Sequence, residues 1–184
     1  MQKILFAGPV GAGKSSAIAS VSDSGVVHTD VGATDQVAEL KARTTVAMDY
    51  GTLRIDESLT IQLVGTPGQQ WFSFMWDILS NGAVGVVLLV DNSRPDPIDD
   101  LAVYLRAFGG LIQQQGGAGV VGVTHIDCSP TPSLAQVHRC IAQMGYQLPV
   151  LEVDARQRED VKTLLLALAS ELNPNTYRRR VAAR

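Results

Sequence analysis

Residues 8–15 have the sequence GPVGAGKS, and the architecture that we predict rests on this stretch. It follows a short apolar run at residues 4–7 and precedes a run at residues 15–20 that is compatible with a helix. The eight residues satisfy the pattern G-x-x-x-x-G-K-[ST], with the strand before and the helix after that this pattern requires. The sequence therefore predicts a phosphate-binding loop.

The residue types of this loop suit phosphate chemistry. Its glycines let the backbone curl so that consecutive N–H groups point at phosphate oxygens, at the positive end of the following helix. Lys14 brings a full positive charge to the β- and γ-phosphates, and the Ser15 hydroxyl can ligate the Mg²⁺ that bridges them. The residues that we expect to contact the nucleotide here are Gly8, Gly11, Ala12, Gly13, Lys14, Ser15 and Ser16.

Composition limits the organisation of the chain. A length of 184 residues with 46% hydrophobic residues fits one globular domain, which we place at residues 1–175. The formal net charge of −3 gives no general attraction to nucleic acid. Residues 176–184 form a basic tail, which is either solvated or a weak electrostatic tether to a membrane.

Two features predict a cytoplasmic protein without a transmembrane segment. The longest apolar run, residues 83–90, is too short to span a bilayer. Cys128 and Cys140 fit neither a disulfide framework nor a zinc signature, so we expect both to be buried, reduced thiols.

Short apolar runs alternate with helical patterns, which predicts βα units around a largely parallel sheet. The predicted strands are residues 3–7, 46–55, 59–64, 83–90, 119–123 and 149–153. Only a three-residue turn separates the second and third strands, so they must form an antiparallel hairpin. Residues 21–41 have no clear period and predict a long loop. The predicted fold is an α/β, three-layer P-loop NTPase with a six-stranded, mostly parallel sheet and one antiparallel hairpin strand.

Groups that can sense the γ-phosphate flank the predicted hairpin. Thr45 directly precedes the first hairpin strand and can give the metal a second protein oxygen besides that of Ser15. Gly68 follows the second hairpin strand and can offer its amide to the γ-phosphate, while Gln69 can orient an attacking water. Arg43 is a candidate for the arginine that stabilises the transition state, with a solvated loop arginine as the alternative.

A candidate base site follows the last two strands, at the sheet edge where α/β proteins bind ligands. The Asp127 carboxylate, in the segment THID, can accept hydrogen bonds from the N1–H and the exocyclic amine of guanine. Adenine has an acceptor at N1 and no amine at C2. The segment DAR follows the last strand, and its central N–H can reach the guanine oxygen. The residues expected at the base are Thr124, His125, Asp127, Ala155 and Arg156.

Together the segments TTVAMDYG, GTPGQ, THID and DAR, each at a strand end, resemble the small Ras-like GTPases over residues 2–172. Within that family the sequence is most similar to the prokaryotic branch of the gliding-motility GTPase MglA and the conservon GTPase CvnD. The resemblance implies GTP and GDP as ligands, Mg²⁺, slow GTP hydrolysis and loops that rearrange between the nucleotide states. It also implies a dimeric roadblock-fold partner that acts as activator or receiver.

Three features depart from that family's pattern or extend it. Gly65 stands where the family has an aspartate that holds the metal through water, and Asp91 is a candidate substitute, with a turn aspartate as the alternative. His125 replaces a lysine that packs along the base; it can stack on a purine or be a structural histidine. The aromatic-rich residues 71–76 are expected to be part core and part partner surface.

Three functions remain open. The first is a GTP-hydrolysing molecular switch, and the second is a guanine-nucleotide-binding scaffold with little or no hydrolysis. The third is a small-molecule kinase, which the sequence disfavours because no arginine cluster for a lid lies between the late strands.

Overall fold

The computed structural model describes residues 2–25, 27–30, 47–57, 59–68 and 73–172. The strands within these residues are β1 (Gln2–Ala7), β2 (Val27–Asp30), β3 (Ala47–Arg54), β4 (Thr60–Gly65), β5 (Ala83–Asp91), β6 (Ala118–Thr124) and β7 (Val150–Glu152). The helices are α1 (Lys14–Val21), α2 (Ser73–Ser80), α3 (Pro97–Gln113), α4 (Leu134–Gln143) and α5 (Arg158–Leu172). The basic tail at residues 176–184 lies outside the described residues.

The strands form one sheet in the order β2-β3-β4-β1-β5-β6-β7. β1 pairs in parallel with β4 and β5, and β6 and β7 continue the parallel part beyond β5. β3 is antiparallel to both β2 and β4 and therefore runs against the other strands. The predicted α/β P-loop fold, with its mostly parallel sheet and its antiparallel hairpin strand, is confirmed.

Strand β2 corrects one detail of the prediction. It lies within residues 21–41, for which we expected a loop, and it adds a seventh strand at the edge of the sheet. The four residues of β2 are too few to show a period, and pairing with β3 supplies their backbone hydrogen bonds.

The core lies on both faces of the sheet, because successive side chains of a strand point to opposite sides. In β1, Leu5 and Ala7 pack with side chains of α2, α3 and α4, whereas Ile4 and Phe6 pack with α1 and α5. β6 is buried along its whole length, as expected for a central parallel strand that is covered on both faces. The result is the expected three-layer arrangement.

The topology gathers the loops that carry the predicted site. The carboxyl ends of β1, β4, β5, β6 and β7 meet at one edge, because these strands run in the same direction. β1 lies between β4 and β5, so the phosphate loop that follows it lies between the segments that follow those strands. No helix in the described part of the chain is long and apolar enough to cross a membrane.

Candidate nucleotide-binding site

The phosphate loop is fixed to the segment after β7 by a close contact. Gly13 has a φ of 93°, in the left-handed region that favours glycine. A Cβ at this position would also lie 2.8 Å from the Cβ of Ala155. Glycine is therefore required at position 13 both for its conformation and for its size, and the contact joins the phosphate segment to the predicted base segment.

Lys14 is the buried cation of the site. Its side chain belongs to a residue that is only 8% exposed, and Nζ donates to the carbonyl oxygens of Gly8 at 2.8 Å and Pro9 at 2.7 Å. Burial lowers the pKa of Lys14 to about 8, and the nearby carboxylates of Asp49 and Asp91 offset part of this effect. An ammonium has three donors, so a phosphate oxygen can accept the remaining one.

The Ser15 hydroxyl donates a hydrogen bond to Asp49 Oδ2, which joins α1 to β3. The register of the hairpin pairs Tyr50 with Val64 and so brings Asp49 beside Gly65 of β4. A Cβ at Gly65 would lie 3.2 Å from Asp49 Oδ2. The acid that position 65 lacks is therefore supplied by the neighbouring strand, and glycine at 65 leaves room for it.

The pair Ser15 and Asp49 fits a Mg²⁺ ion. Mg²⁺ is usually bound by one or two carboxylates and by substrate phosphates and keeps several waters. A hydroxyl and a carboxylate at hydrogen-bond distance, beside the phosphate loop, provide oxygen donors of this kind. Asp49 was not among the residues predicted from the sequence, because its contact with Ser15 depends on the register of β3 against β4. The one available signal was an acid within a strand of the hairpin.

The structure uses Asp91 for a different task from the metal role considered above. Its Oδ1 accepts hydrogen bonds from the backbone N–H of Ser93 at 2.9 Å and from the Ser93 hydroxyl at 2.6 Å. The same oxygen lies 3.0 Å from Nδ1 of His125. Asp91 is therefore a turn aspartate that also orients the imidazole.

Two residues of the THID segment act on the site in different ways. His125 has a φ of 57°, and its side chain is 36% exposed. Thr124 is buried, and its hydroxyl lies within hydrogen-bond distance of the carbonyl oxygens of Ala12, at 3.2 Å, and Val90, at 3.1 Å, between which its single O–H is shared. Thr124 thus supports the phosphate loop from within the fold, while His125 extends toward solvent from the Asp91 contact.

A cleft of about 700 Å³ connects the predicted phosphate and base residues. This volume is typical of a small-molecule site. Its lining includes Gly11, Gly13, Ser16, Thr124, His125, Asp127, Ala155 and Arg156. The cleft therefore joins part of the phosphate loop to the residues that we assigned to the base. Gly8, Ala12, Lys14 and Ser15 do not line it, and their contact with a nucleotide stays a prediction.

Cys128 also lines the cleft, next to Asp127. The expectation that both thiols are buried was wrong for Cys128, which is exposed, and Cys140 is partly buried. Cys128 lies in the turn that follows β6, where its backbone N–H donates to the His125 carbonyl at 3.0 Å. The apolar character of cysteine predicted burial, but the position of Cys128 in this turn leaves its side chain exposed.

The DAR segment is held by an internal ion pair. Arg156 donates through Nε to Asp154 Oδ1 at 2.8 Å and through one terminal nitrogen to Oδ2 at 2.9 Å. The hydrogen bonds from the side chain and the backbone of Arg156 lower the pKa of Asp154 to about 2. The same pair raises the pKa of Arg156, with a smaller contribution from Asp127. Arg156 is thus held at the rim of the cleft and remains positively charged.

The segment after β4 brings Gly68 directly onto the phosphate loop. A Cβ at Gly68 would lie 2.8 Å from Nζ of Lys14 and 2.6 Å from the backbone nitrogen of Val10. The predicted Thr45, Gln69 and Arg43 lie outside the described residues.

In the aromatic-rich segment, Met75 and Trp76 belong to the core, as expected for one part of it. Phe74 is 46% exposed, and residues 71 and 72 lie outside the described part of the chain. A partner surface at this segment stays a prediction.

The fold, the buried lysine of the loop and the cleft define a P-loop nucleotide-binding protein. Residues 26–174 match the model of a family described as conserved hypothetical ATP binding protein, and the chain belongs to this family. The phosphate loop at residues 8–15 precedes the matched region. Among curated proteins, no sequence matches the chain significantly.

The family match corrects the resemblance drawn above. The expectation of a Ras-like GTPase of the MglA and CvnD branch was wrong, since the matched family is that of the ATP-binding proteins and no homology to MglA or CvnD is shown. Motifs such as GTPGQ and DAR are short loop segments that local turns and phosphate contacts can dictate in any P-loop protein. The family match instead rests on the pattern of residues 26–174.

The pKa of Lys14 predicts a pH dependence of phosphate binding. Because this pKa is about 8 in the nucleotide-free protein, the ammonium is present below pH 8 and is lost as the pH rises through this value. The affinity for a nucleoside diphosphate should therefore fall about tenfold between pH 7 and pH 9. Titration calorimetry at pH 7 and pH 9 measures this affinity.

Lys14→Arg is the matched control, because a guanidinium stays charged throughout this range. The variant also reports any titration of the nucleotide itself. A wild-type affinity that changes no more than that of Lys14→Arg would contradict the assignment of Lys14 as the phosphate-binding cation.

Proposed function

We propose that the protein binds guanine nucleotides with Mg²⁺, hydrolyses GTP to GDP and acts as a nucleotide-dependent switch. The observation that carries this proposal is the cleft that joins the phosphate loop to Asp127. A nucleotide with its phosphates at Gly13 and Ser16 has its base in the part of the cleft that Asp127 and Arg156 line.

The chemistry of Asp127 supports a preference for guanine. A carboxylate offers only acceptors, and guanine presents two donors on one edge, the N1–H and the exocyclic amine. Adenine presents the N1 lone pair at the corresponding position, so its approach to a carboxylate is repulsive. This chemistry favours GTP over ATP within a family whose description mentions ATP.

The phosphates and the metal are assigned to three side chains at the start of α1 and in β3. Lys14 would neutralise charge on the β- and γ-phosphates, and Ser15 and Asp49 would hold Mg²⁺. The chemistry that Mg²⁺ would supply at these residues is neutralisation of negative charge on the phosphates. Thr45 is proposed as a further metal ligand, Gln69 as the residue that orients water, and Arg43 as the cation that stabilises the transition state.

A switch function is supported by the position of Gly68. This residue lies against Lys14, where a γ-phosphate would contact the protein, and its carbonyl is hydrogen-bonded to α3. A γ-phosphate bound beside Lys14 would therefore displace Gly68, whose carbonyl is hydrogen-bonded to Tyr104 of α3. A scaffold with little or no hydrolysis is the second candidate, supported by His125, which stands where hydrolysing GTPases have a lysine along the base.

We also propose a location and a partner surface. A reducing cytoplasm would keep the exposed Cys128 as a thiol. The exposed ring of Phe74, in the helix after the Gly68 segment, supports a partner surface that depends on the nucleotide state. The roadblock-fold partner rested on the corrected resemblance, and it stays a prediction without support from the described residues.

The base assignment predicts the effect of Asp127→Asn. An amide in place of the carboxylate can donate to the oxygen that xanthine carries at C2, so preference should move from GTP to XTP. We expect GTP affinity to fall by about 100-fold and XTP affinity to rise, as measured by displacement of a fluorescent GDP analogue. Unchanged GTP affinity with no gain for XTP would contradict the role of Asp127.

The metal assignment predicts the effect of Asp49→Asn. Loss of the carboxylate should raise the Mg²⁺ concentration needed for half-maximal nucleotide binding by about 10–100-fold and slow GTP hydrolysis in single-turnover assays. Glu57→Gln removes an exposed acid at the hairpin turn and is the matched control. Equal Mg²⁺ dependence in the two variants would refute the metal site. A wild-type protein that binds GTP without hydrolysing it would favour the scaffold.

A further inference from the structure

Residues 66–68, which we call the Gly68 turn, lie on the phosphate loop in a way that conflicts with a terminal phosphate. The space beside the Gly68 Cα that a Cβ would fill is within 2.8 Å of the Lys14 ammonium and 2.6 Å of the Val10 nitrogen. Lys14 is the group that meets the β- and γ-phosphates of a nucleoside triphosphate in this class of loop. The docked turn therefore occupies space that a γ-phosphate needs, and it leaves the remainder of the cleft open.

Two aromatic donors hold the turn in this position. The indole Nε1 of Trp76 in α2 donates to the carbonyl oxygen of Pro67 at 3.1 Å. The hydroxyl of Tyr104 in α3 donates to the carbonyl oxygen of Gly68 at 3.0 Å. The carbonyls of two consecutive residues are thus fixed by donors from two different helices.

The two donors form one unit. The ring centroids of Trp76 and Tyr104 are 4.9 Å apart, and both residues are at most 3% exposed. Burial raises the pKa of Tyr104 above its ordinary value, so its hydroxyl remains a donor across the physiological range. A displacement of the turn therefore breaks hydrogen bonds to two aromatic residues whose rings are in contact and link α2 with α3.

Thr66, the first residue of the Gly68 turn, makes one hydrogen bond that favours the docked position and has one polar group that disfavours it. The backbone N–H of Thr66 donates to the carbonyl of Phe6 at 2.9 Å and anchors the turn to β1. Its hydroxyl is buried and has no hydrogen-bond partner among the described residues. A buried hydroxyl without a partner costs free energy, so rearrangement of the turn can recover part of what the broken bonds lose.

We propose that Tyr104 is a positioning residue of the nucleotide site. Its hydroxyl, together with the Trp76 indole, holds Gly68 against Lys14 and so favours nucleoside diphosphates over triphosphates. Binding of a triphosphate displaces Gly68, breaks the Tyr104 hydrogen bond and releases the aromatic pair. This inference rests on the proposed function only in requiring that the loop bind a nucleotide.

Tyr104→Phe tests the proposal, because it removes the hydroxyl and keeps the ring that packs on Trp76. Affinities for GDP and for a non-hydrolysable GTP analogue are measured by calorimetry at a fixed Mg²⁺ concentration. The ratio of the two affinities should shift about fivefold toward the triphosphate analogue, the effect expected for one hydrogen bond. A tyrosine with a merely structural role would weaken both ligands equally.

Tyr146→Phe is the matched control. The Tyr146 hydroxyl packs against Gly109 of α3, at a site lined by residues other than those of the cleft. Its removal should leave the affinity ratio unchanged. Trp76→Phe gives a second variant, since it removes the other donor and should shift the ratio in the same direction as Tyr104→Phe.

A fluorescence measurement follows the turn directly. The chain has two tryptophans, so a Trp71→Phe background leaves Trp76 as the reporter. The triphosphate analogue should change its emission more than GDP does, and Tyr104→Phe should reduce this difference.

An affinity ratio in Tyr104→Phe that equals that of wild type and Tyr146→Phe would overturn the inference and leave the proposed function intact. If ADP and an ATP analogue bind in place of the guanine nucleotides, the same ratio is measured with them. If no nucleotide binds, both the inference and the proposed function are wrong.

Discussion

The buried ammonium of Lys14 is the interaction on which the site is built. A cation at 8% exposure is costly, and two carbonyl oxygens of the loop, at 2.8 and 2.7 Å, compensate part of that cost. Asp49 and Asp91 add favourable charge from the two sides. The strand order brings these groups together: β5, which carries Asp91, is next to β1 on one side, and β3, which carries Asp49, lies beyond β4 on the other. An anion bound at the loop would supply the rest of the compensation.

The register of the hairpin places the carboxylate of Asp49 in β3 beside Gly65 in β4. Asp49 and Gly65 are neighbours across β3 and β4, and a side chain at position 65 would crowd the Asp49 carboxylate. The acid and the glycine are therefore a matched pair, and the acid reaches Ser15 from the antiparallel strand. Position 65 has no acid in the sequence, but the carboxylate of Asp49 lies beside it in the structure.

Several features could be predicted from the sequence because local patterns carry them. The glycines and lysine of the phosphate loop, the six apolar strands and the short hairpin turn are set by steric and pattern rules that act over a few residues. Asp127 and Thr124 could be placed at the cleft because parallel strands end at one edge. β2, the role of Asp49 and the contact between Asp91 and His125 depend on pairing between distant segments, which no local pattern encodes. The family was misjudged for a related reason, since loop motifs report local chemistry and not ancestry.

We propose that the cleft between the phosphate loop and Asp127 holds a guanine nucleotide. Competition of GTP and ATP against a fluorescent GDP analogue, at equal Mg²⁺ concentration, tests this claim most directly. The account predicts displacement by GTP at a concentration about 100-fold or more below that needed for ATP, because two hydrogen bonds to a carboxylate are at stake. Displacement by ATP at an equal or lower concentration than GTP would contradict it.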